Sequence, residues 1–303
     1  MRSVTFERVP DDSRWAVILS GGDGVRLRSL TRAIAGDERP KQFCTVIGGE
    51  TLLQQTIRRV TTMIPPVRTT VMLTRHHEQF FPAMEAASIV QPDNRGTAPA
   101  ILYSLLSIVN VDPFANVAIF PADHHFSDDA AFMQHVAAAY GAVAEHPELM
   151  ILLGIVPTGV EEGYGWIQPG EPISEVHGGN FYRVRRFWEK PATEIARQLV
   201  LQGCLWNTFV LVGAADKLLR LIRSTVPGLY KQFEAIQPSI GTVAEDSVLQ
   251  ETYALLSPSD FSRDVLAVRP RALTVLPVEG AKWVDMGTSD RVRAVLAAHE
   301  LSV

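Results

Sequence analysis

Two aspartates, Asp123 and Asp285, each follow a short apolar run that is predicted to be a β-strand. In open α/β sheets, ligands bind just beyond the carboxyl ends of the strands. Carboxylate oxygens at such an edge suit Mg²⁺, which is commonly held by one or two carboxylates together with substrate phosphates. A single aspartate after a strand is more often a loop cap, so the hypothesis of a magnesium site depends on the pair.

A glycine-rich loop follows the first predicted strand, and it reads Ser20-Gly21-Gly22-Asp23-Gly24-Val25-Arg26-Leu27. Glycines let the backbone turn sharply and approach a phosphate, so that its N–H groups can point at the anion. The loop matches neither Walker A, since no Gly-Lys-Ser/Thr follows, nor Gly-x-Gly-x-x-Gly. It ends with Arg26, and Lys41 follows in Pro40-Lys41-Gln42-Phe43. These two cations are either phosphate ligands or ordinary solvated surface charges.

Residues 91–100 read Gln-Pro-Asp-Asn-Arg-Gly-Thr-Ala-Pro-Ala and open a predicted helix. Thr97 is the predicted N-cap of this helix, with Pro99 near its first turn. The need to cap the start of a helix is enough to explain the residue types of this segment. The same residues could also contact a nucleotide, and the two roles are compatible.

Composition excludes several classes of protein. The chain has 303 residues and a formal net charge of −5, so no overall basic field attracts nucleic acid. Its two cysteines, Cys44 and Cys204, match neither a secreted disulfide scaffold nor a zinc-ligand spacing. No apolar run approaches the roughly 18 residues of a membrane span, and the amino terminus lacks the apolar core of a signal peptide. We therefore expect a cytoplasmic protein that binds neither nucleic acid nor a membrane.

Alternating strands and helices must position the polar residues. Strands are predicted at Trp15–Ser20, Val67–Thr74, Val117–Phe120 and Leu149–Ile155. Helices are predicted over Thr51–Val60, with Thr51 as N-cap, from Thr74 to about Ala87, over Thr97–Val109 and over Asp128–Glu145. This alternation implies a mostly parallel sheet with helices on both faces.

Beyond residue 155 the pattern is looser. Loops or hairpin turns are predicted at Gly163–Pro172 and Gly178–Asn180, strands at Tyr182–Trp188, Leu205–Val212, Leu273–Val278 and Lys282–Asp285, and helices at Asp216–Thr225 and Asp290–Leu301. Residues 1–13 are a predicted polar tail. Residues 14–303 are a predicted single α/β domain, which includes a substrate-binding subregion at about 156–212 and a carboxyl-terminal helix.

Taken together, these segments resemble the amino-terminal signature of the sugar nucleotidyltransferases. The resemblance is carried by Gly-Gly-x-Gly-x-Arg-Leu, by Pro-Lys-Gln-Phe, and by Gly-Gly-Glu-Thr-Leu-Leu-Gln-Gln-Thr at residues 48–56. The Lys-Gln-Phe and Leu-Leu-Gln-x-Thr spellings resemble the mannose-1-phosphate guanylyltransferase branch. The match runs in order from about Trp15 to Arg291, although Ser29 stands where the family usually has proline. It implies a Rossmann-like, three-layer nucleotidyltransferase fold with a mixed, mostly parallel central sheet.

The resemblance also implies roles for the polar residues. Arg26 and Lys41 would bind the triphosphate and stabilise charge on the departing pyrophosphate. The other nucleotide contacts would be Gly21, Gly22, Gly24, Asn94, Gly96 and Thr97. Gln91 replaces the family's usual glutamate, which leaves guanine selectivity open. Residues 283–287 resemble the family's Trp-x-Asp-x-Gly segment, so Asp123 and Asp285 are the predicted catalytic ligands of the cofactor Mg²⁺.

Three further segments resemble the family's sugar side. Gly165, in Gly-Tyr-Gly-Trp-Ile, would bring the backbone close to a hexose. In the Glu-Lys-Pro element, Glu189 would accept hydrogen bonds from sugar hydroxyls and Lys190 would bind the 1-phosphate. Asn207 would bind a sugar hydroxyl, although the glycine of the family's Trp-Asn-x-Gly-x-Phe pattern is missing here. We assign no chemical role to His76, His77 or the cysteines.

The implied reaction is in-line attack by an oxygen of mannose-1-phosphate on the α-phosphorus of GTP, giving GDP-mannose and pyrophosphate. The attacking oxygen is already anionic, so no general base is expected. Two alternatives stay open: the same chemistry with UTP or dTTP and glucose-1-phosphate, and a non-catalytic regulatory relative. A homodimer is also open. Because the chain stops soon after Asp285, we expect a single-activity enzyme without an isomerase domain or a left-handed β-helix.

Overall fold

The computed structural model describes residues 13–81 and 86–300. Its strands are β1 (Arg14–Leu19), β2 (Thr45–Ile47), β3 (Glu50–Thr51), β4 (Thr69–Thr74), β5 (Ala87–Gln91), β6 (Asn116–Pro121), β7 (His125–Phe126), β8 (Met150–Ile155), β9 (Gly165–Pro172), β10 (Tyr182–Glu189), β11 (Leu205–Ala214), β12 (Thr274–Val278) and β13 (Trp283–Val284). Its helices are α1 (Arg28–Ala35), α2 (Leu52–Thr61), α3 (Thr97–Val109), α4 (Asp129–Glu145), α5 (Thr193–Leu201), α6 (Ala215–Thr225), α7 (Pro227–Glu234), α8 (Glu245–Leu255) and α9 (Ser289–Glu300).

The central sheet has the strand order β5-β4-β1-β6-β11-β8-β12-β10-β9. Parallel pairs join β1 to β4 and β6, β4 to β5, and β8 to β12. Antiparallel pairs join β11 to β6, β8 and β9, and β10 to β12 and β9. All strands of this sheet except β10 and β11 therefore run in one direction. The predicted α/β class with a mixed, mostly parallel central sheet is confirmed.

Helices cover both faces of this sheet, because its central strands are apolar on both sides. Successive side chains of a strand point to opposite faces. Ala16 and Ile18 of β1 accordingly belong to one core, which α2 and α4 cover, while Trp15 and Val17 belong to a second core under α3, α6 and α8. A smaller third cluster packs α9 against the segments around Leu27, Cys44 and Met286. This arrangement is the predicted three-layer architecture.

Helix starts follow the predicted capping chemistry at one site and depart from it at another. Thr51 caps α2 in a capping box: its hydroxyl accepts from the backbone N–H of Gln54 (3.1 Å), and the Gln54 side chain accepts from the N–H of Thr51 (2.8 Å). The predicted N-cap of α3 is wrong, because Gly96 holds that position and Thr97 is the first helical residue. The hydroxyl of Thr97 instead accepts from the backbone N–H of Phe261 at 2.8 Å.

Two further predictions are wrong. The helix expected between Thr74 and Ala87 is a short 3₁₀ segment, Arg75–Phe80, followed by strand β5 at the sheet edge; residues 82–85 lie outside the described residues. The turns expected over Gly163–Pro172 are mostly strand β9, which pairs with β10 through register shifts. Proline is compatible with a strand at an edge or a bulge, and β9 ends the strand order.

Four helices within the described residues were not predicted from the sequence, namely α1, α5, α7 and α8. The predicted tail, residues 1–13, lies outside the described residues except for Ser13. The closing helix α9 spans Ser289–Glu300 rather than the predicted Asp290–Leu301, and Leu301 also lies outside the described residues. Across the described ranges, no helix combines the length and apolar character needed to span a bilayer.

Candidate active site

The structure brings every predicted site residue to one cavity of about 540 Å³. Its wall includes the glycine loop, the start of α3, the two aspartates and the predicted sugar-side residues: Gly21, Gly22, Gly24, Arg26, Lys41, Asn94, Gly96, Thr97, Asp123, Gly165, Glu189, Lys190, Asn207 and Asp285. The cavity lies beyond the carboxyl ends of β1 and β6, where ligands bind in open α/β sheets. The roles of these residues in binding and catalysis stay predictions.

The glycine loop is held in place by side chains beneath it. Gln42 donates from Nε2 to the carbonyl oxygens of Ser20 (3.0 Å) and Gly22 (2.8 Å). Thr74 donates to the carbonyl of Gly21 at 2.9 Å. A Cβ on Gly21 would lie 2.7 Å from Nε2 of Gln91, so a larger residue would have to displace either that amide or the loop. Three consecutive carbonyl groups of the loop therefore accept hydrogen bonds from side chains of the protein itself.

Lys41 joins the two aspartate segments. Its Nζ donates to the backbone carbonyls of Asp285 (2.7 Å) and Met286 (2.8 Å) and lies 3.1 Å from Oδ2 of Asp123. An ammonium group has three donors, so all of them have partners in this arrangement. The side chain is only 12% exposed. Lys41 therefore organises the site in addition to carrying a charge that could meet a phosphate.

Asp285 is surrounded by donors and cations. Its Oδ1 accepts from the backbone N–H of Gly287 and from Nη1 of Arg291, both at 2.8 Å. Burial opposes ionisation, but the Gly287 N–H and the positive charges of Arg291 and Lys41 lower the pKa of Asp285 below its ordinary value. The carboxylate is therefore ionised at neutral pH. Arg291 also contacts Glu161 and lies over the ring of Tyr164, 4.2 Å from its centroid.

His124 lies beside both aspartates and was not predicted as a site residue. The indole N–H of Trp283 donates to Nδ1 of His124 at 3.1 Å, which leaves the proton of the neutral ring on Nε2. That nitrogen is 3.8 Å from Oδ1 of Asp123. Burial lowers the pKa of His124, so the ring is neutral at pH 7. It offers the cavity a neutral N–H donor rather than a third positive charge.

The sugar-side residues converge on one glycine. A Cβ on Gly165 would lie 3.1 Å from Oε2 of Glu189 and 3.2 Å from Cβ of Asn207. Glu189 pairs with Nζ of Lys190 at 2.8 Å. Burial raises the pKa of Glu189, although the pair with Lys190 opposes this shift. The absence of a side chain at Gly165 leaves the space between the two polar groups open.

Three non-glycine residues in this region have left-handed backbone angles. They are Lys190 (φ 49°), Phe209 (φ 64°) and Met286 (φ 54°). Phe209 occupies the place where the family pattern has glycine, in the bulge of β11 between Asn207 and Leu211. Its N–H donates to Oδ1 of Asn207 at 3.1 Å, which orients that side chain. Such angles cost about 1–2 kcal/mol per residue and concentrate at functional sites.

The start of α3 is braced by a segment that sequence reasoning missed. Ser259 accepts at its carbonyl from the backbone N–H of Ala98 (3.1 Å), and its own N–H donates to the carbonyl of Arg95 (2.9 Å). Gly96 has φ 90°, and a Cβ there would lie 2.3 Å from the carbonyl oxygen of Ser259. No motif in residues 257–262 points to this contact, which only the folded chain produces.

Replacing Gly96 by alanine is therefore expected to destabilise the protein by about 2–4 kcal/mol, because the new methyl group meets a backbone oxygen at an unfavourable φ. Denaturant unfolding measures the change. The control is Gly141→Ala in α4, where a Cβ meets nothing within 4 Å and alanine favours the helix by about 0.5–1 kcal/mol. Equal stability of Gly96→Ala and the unsubstituted protein would contradict the close approach.

The aspartate pair has the donor set that Mg²⁺ prefers. Both side chains border the same cavity and offer only oxygen atoms. Cationic side chains, Lys41 and Arg291, lie against them, so the site already stabilises concentrated negative charge. The residues present therefore fit a magnesium ion held by Asp123 and Asp285.

The pattern that defines the Nucleotidyl transferase family matches residues 15–300. The chain therefore belongs to the nucleotidyl transferase family. A mannose-1-phosphate guanylyltransferase of Salmonella muenchen is 31% identical over 287 residues, which is 90% of this chain and 57% of that protein. The RfbM mannose-1-phosphate guanylyltransferase of Salmonella typhimurium is 30% identical over 283 residues, 90% of this chain and 56% of that protein.

A solved structure, described as a mannose-1-phosphate geranyltransferase from Thermus thermophilus, has a TM-score of 0.78 and 28% sequence identity; the match covers 91% of this chain and 77% of that chain. The predicted resemblance to this branch of the family is thereby confirmed. The chain spans a little over half the length of the two curated relatives.

Proposed function

We propose that this protein transfers GMP from GTP to mannose-1-phosphate, giving GDP-mannose and pyrophosphate. One observation carries the proposal: a glycine loop, a cation-supported aspartate pair, the half-buried Glu189 and the buried Asn207 border a single cavity. The relatives' names favour this pair of substrates among those that the fold can serve. The aspartate pair and Lys41 are both present, which argues against a non-catalytic relative.

In the proposed reaction, a phosphate oxygen of mannose-1-phosphate forms a bond to the α-phosphorus of GTP. The bond between that phosphorus and the bridging oxygen breaks, and pyrophosphate leaves with the electron pair. No proton has to be removed from the attacking oxygen. The chain's task is to position two anions and to neutralise their charge, which are the main contributions proteins make to such transfers.

The cationic residues divide this task. Arg26 lines the cavity beside the glycine loop, where the triphosphate would lie. Lys41 can contact a phosphate oxygen only by giving up one of its three partners, and Asp123 is the partner that a bound cation would take over. Mg²⁺, held by Asp123 and Asp285, would supply Lewis-acid stabilisation of the phosphate charge.

The choice of base depends on Gln91, which is buried and whose amide is oriented by a chain of hydrogen bonds. Tyr253 donates to Oε1 of Gln91 (3.1 Å), and Nε2 of Gln91 donates to Thr74 (3.2 Å), whose hydroxyl donates onward to Gly21. The second amide proton can therefore meet a carbonyl oxygen of a base. Guanine, uracil and thymine all carry one, so UTP or dTTP with glucose-1-phosphate stays the second candidate.

The test is pyrophosphate release with purified protein and Mg²⁺, using GTP, UTP and dTTP in every combination with mannose-1-phosphate and glucose-1-phosphate. We expect the highest kcat/KM for GTP with mannose-1-phosphate. A higher value for a UTP or dTTP pair would assign the second candidate. Release with no pair would support the non-catalytic alternative.

Replacing Lys190 by alanine is expected to raise the KM for the sugar 1-phosphate by about tenfold or more, the effect of losing one charge-assisted contact of about 1.5–3 kcal/mol. The KM for the nucleotide should change little. Steady-state kinetics with each substrate varied in turn gives both values. The exposed Lys231 of α7 provides the matched control, Lys231→Ala, and an unchanged sugar-phosphate KM in Lys190→Ala would remove Lys190 from that role.

A further inference from the structure

Asp23, His76 and His77 form a cluster beside the glycine loop. Asp23 belongs to that loop, and the two histidines lie in the 3₁₀ segment that follows β4. Nε2 of His76 is 3.0 Å from Oδ1 of Asp23, and Nε2 of His77 is 3.4 Å from the same oxygen. One ligand atom from each residue lies within 4.8 Å of the other two. Among the described residues, no other group of three His, Cys, Asp or Glu side chains is arranged in this way.

The two measured N···O separations, 3.0 and 3.4 Å, are close to those between ligand atoms of a bound metal ion. Zn²⁺ binds nitrogen and oxygen ligands at about 2.0–2.2 Å in tetrahedral geometry, which puts neighbouring ligand atoms about 3.3–3.6 Å apart. The distance from Nε2 of His77 to Oδ1 of Asp23 falls in this range. The distance from Nε2 of His76 to the same oxygen would have to increase by only a few tenths of an ångström. Asp23 and His76 are 33% and 56% exposed, which leaves an entry path and room for water as a further ligand.

The outer contacts also suit a site of this kind. Metal-bound side chains are normally oriented by second hydrogen bonds. Asn94 donates from Nδ2 to Oδ2 of Asp23 at 2.9 Å, and this contact leaves Oδ1 directed at the imidazoles. His77 is 2% exposed and packs against Phe43 and His76. Its Nδ1 has no hydrogen-bond partner within the described part of the chain. Lack of such a partner weakens metal affinity about 10- to 100-fold, so we expect micromolar rather than nanomolar binding.

The ligand set selects a different ion from the one expected at Asp123 and Asp285. Two imidazole nitrogens and one carboxylate suit Zn²⁺, Co²⁺ or Ni²⁺, whereas Mg²⁺ prefers oxygen ligands only. A cation here would tie the glycine loop to the segment after β4. It would also offset the negative charge of Asp23, which lies in the loop that is predicted to receive a triphosphate.

We propose that Asp23, His76 and His77 form a binding site for a zinc-like divalent cation that fixes the glycine loop. The site is distinct from the aspartate pair at the centre of the cavity, and the proposal does not depend on which nucleotide or sugar the protein uses.

The test is direct metal binding to the full chain after removal of metals with a chelator. Co²⁺ is titrated by visible absorption and Zn²⁺ by calorimetry, both in excess Mg²⁺ so that all-oxygen sites are filled. We expect one equivalent to bind with a micromolar Kd, and Asp23→Asn and His76→Gln each to weaken binding at least tenfold. The exposed His177 supplies the control, His177→Gln, which should bind as the unsubstituted protein does.

Two results would overturn the proposal. One is failure of the unsubstituted protein to bind Zn²⁺ or Co²⁺ below about 100 μM; the other is unchanged binding in both Asp23→Asn and His76→Gln. These variants alter partly exposed side chains, so each can be checked for intact folding by its thermal unfolding curve. Asp285→Asn serves as a second control, since it removes a ligand of the central site and should leave binding of Co²⁺ unchanged.

Discussion

Replacement of Asp285 by asparagine is expected to lower turnover about 10²- to 10³-fold, the scale of losing a major electrostatic element of an active site. The substitution keeps the size of the side chain but removes its charge. Asparagine keeps one oxygen that can accept from Gly287 and Arg291, but it lacks the negative charge that pairs with Arg291. The protein would thus lose a predicted metal ligand, and Arg291 would keep only its ion pair with Glu161. Pyrophosphate release at saturating substrates measures the effect, and Asp123→Asn should give a loss of similar size.

The exposed Asp290 of α9 provides a matched control. Asp290→Asn removes one negative charge five residues further along the chain, in the first turn of α9, but it lies outside the cavity wall, so turnover should stay within about twofold of the unsubstituted protein. Raising the Mg²⁺ concentration should partly restore Asp285→Asn if the defect is weakened cation binding. Rates near those of the unsubstituted protein in both Asp123→Asn and Asp285→Asn would exclude these residues from a metal site.

Replacement of Lys41 by methionine is expected to reduce turnover by a similar factor, about 10²- to 10³-fold, and to destabilise the fold as well. Methionine fills the same space but cannot donate to the carbonyls of Asp285 and Met286 or pair with Asp123. Buried acceptors left without donors cost about 1–3 kcal/mol. Because Asp123 is 27% exposed, we expect only about 1–2 kcal/mol overall. Thermal or denaturant unfolding should be measured beside pyrophosphate release.

Arginine should not rescue position 41. The three acceptors around Nζ suit a compact ammonium with three donors, whereas a guanidinium is planar and larger. We therefore expect Lys41→Arg to be at least tenfold slower than the unsubstituted protein. Lys231→Met, on an exposed face of α7, controls for the loss of a lysine. Full activity in Lys41→Arg would mean that charge alone matters at this position, and that the contacts to the carbonyls of Asp285 and Met286 are dispensable.

Most strands were predictable from sequence because their signal is local. The run from Trp15 to Ser20 is apolar on both faces, as a central strand covered by two helical layers must be. The N-cap of α2 was likewise predictable from Thr51, although the reciprocal contact from Gln54 was seen only in the structure. Prediction failed for β5, at an edge of the sheet, where small or polar residues are tolerated because only one neighbouring strand has to be satisfied. It also failed for β9, whose prolines lie at the register shifts of its pairing with β10.

The residues of the candidate site also fall into two groups, those that could be predicted from local sequence and those that could not. Asp123, Asp285, Lys41 and the glycine loop lie in short sequence motifs that resemble those of a known family. His124, Arg291 and residues 259–262 carry no such signal, because their importance comes from contacts with residues distant in the chain. Thr97 illustrates the difference: the sequence suggested a helix cap, but its hydroxyl holds Phe261, 164 residues away.

By itself, the sequence determined the class of fold and the chemical kinds of group available, since apolar periodicity, glycine runs and motif spelling are properties of neighbouring residues. Only the tertiary structure decided how those groups are used. It placed the Lys41 ammonium between Asp123 and the backbone at residues 285 and 286. It also set Asp23 against two histidines that had been given no chemical role. Distances between segments far apart in the chain depend on how the whole sheet and its helices pack, and no local pattern encodes them.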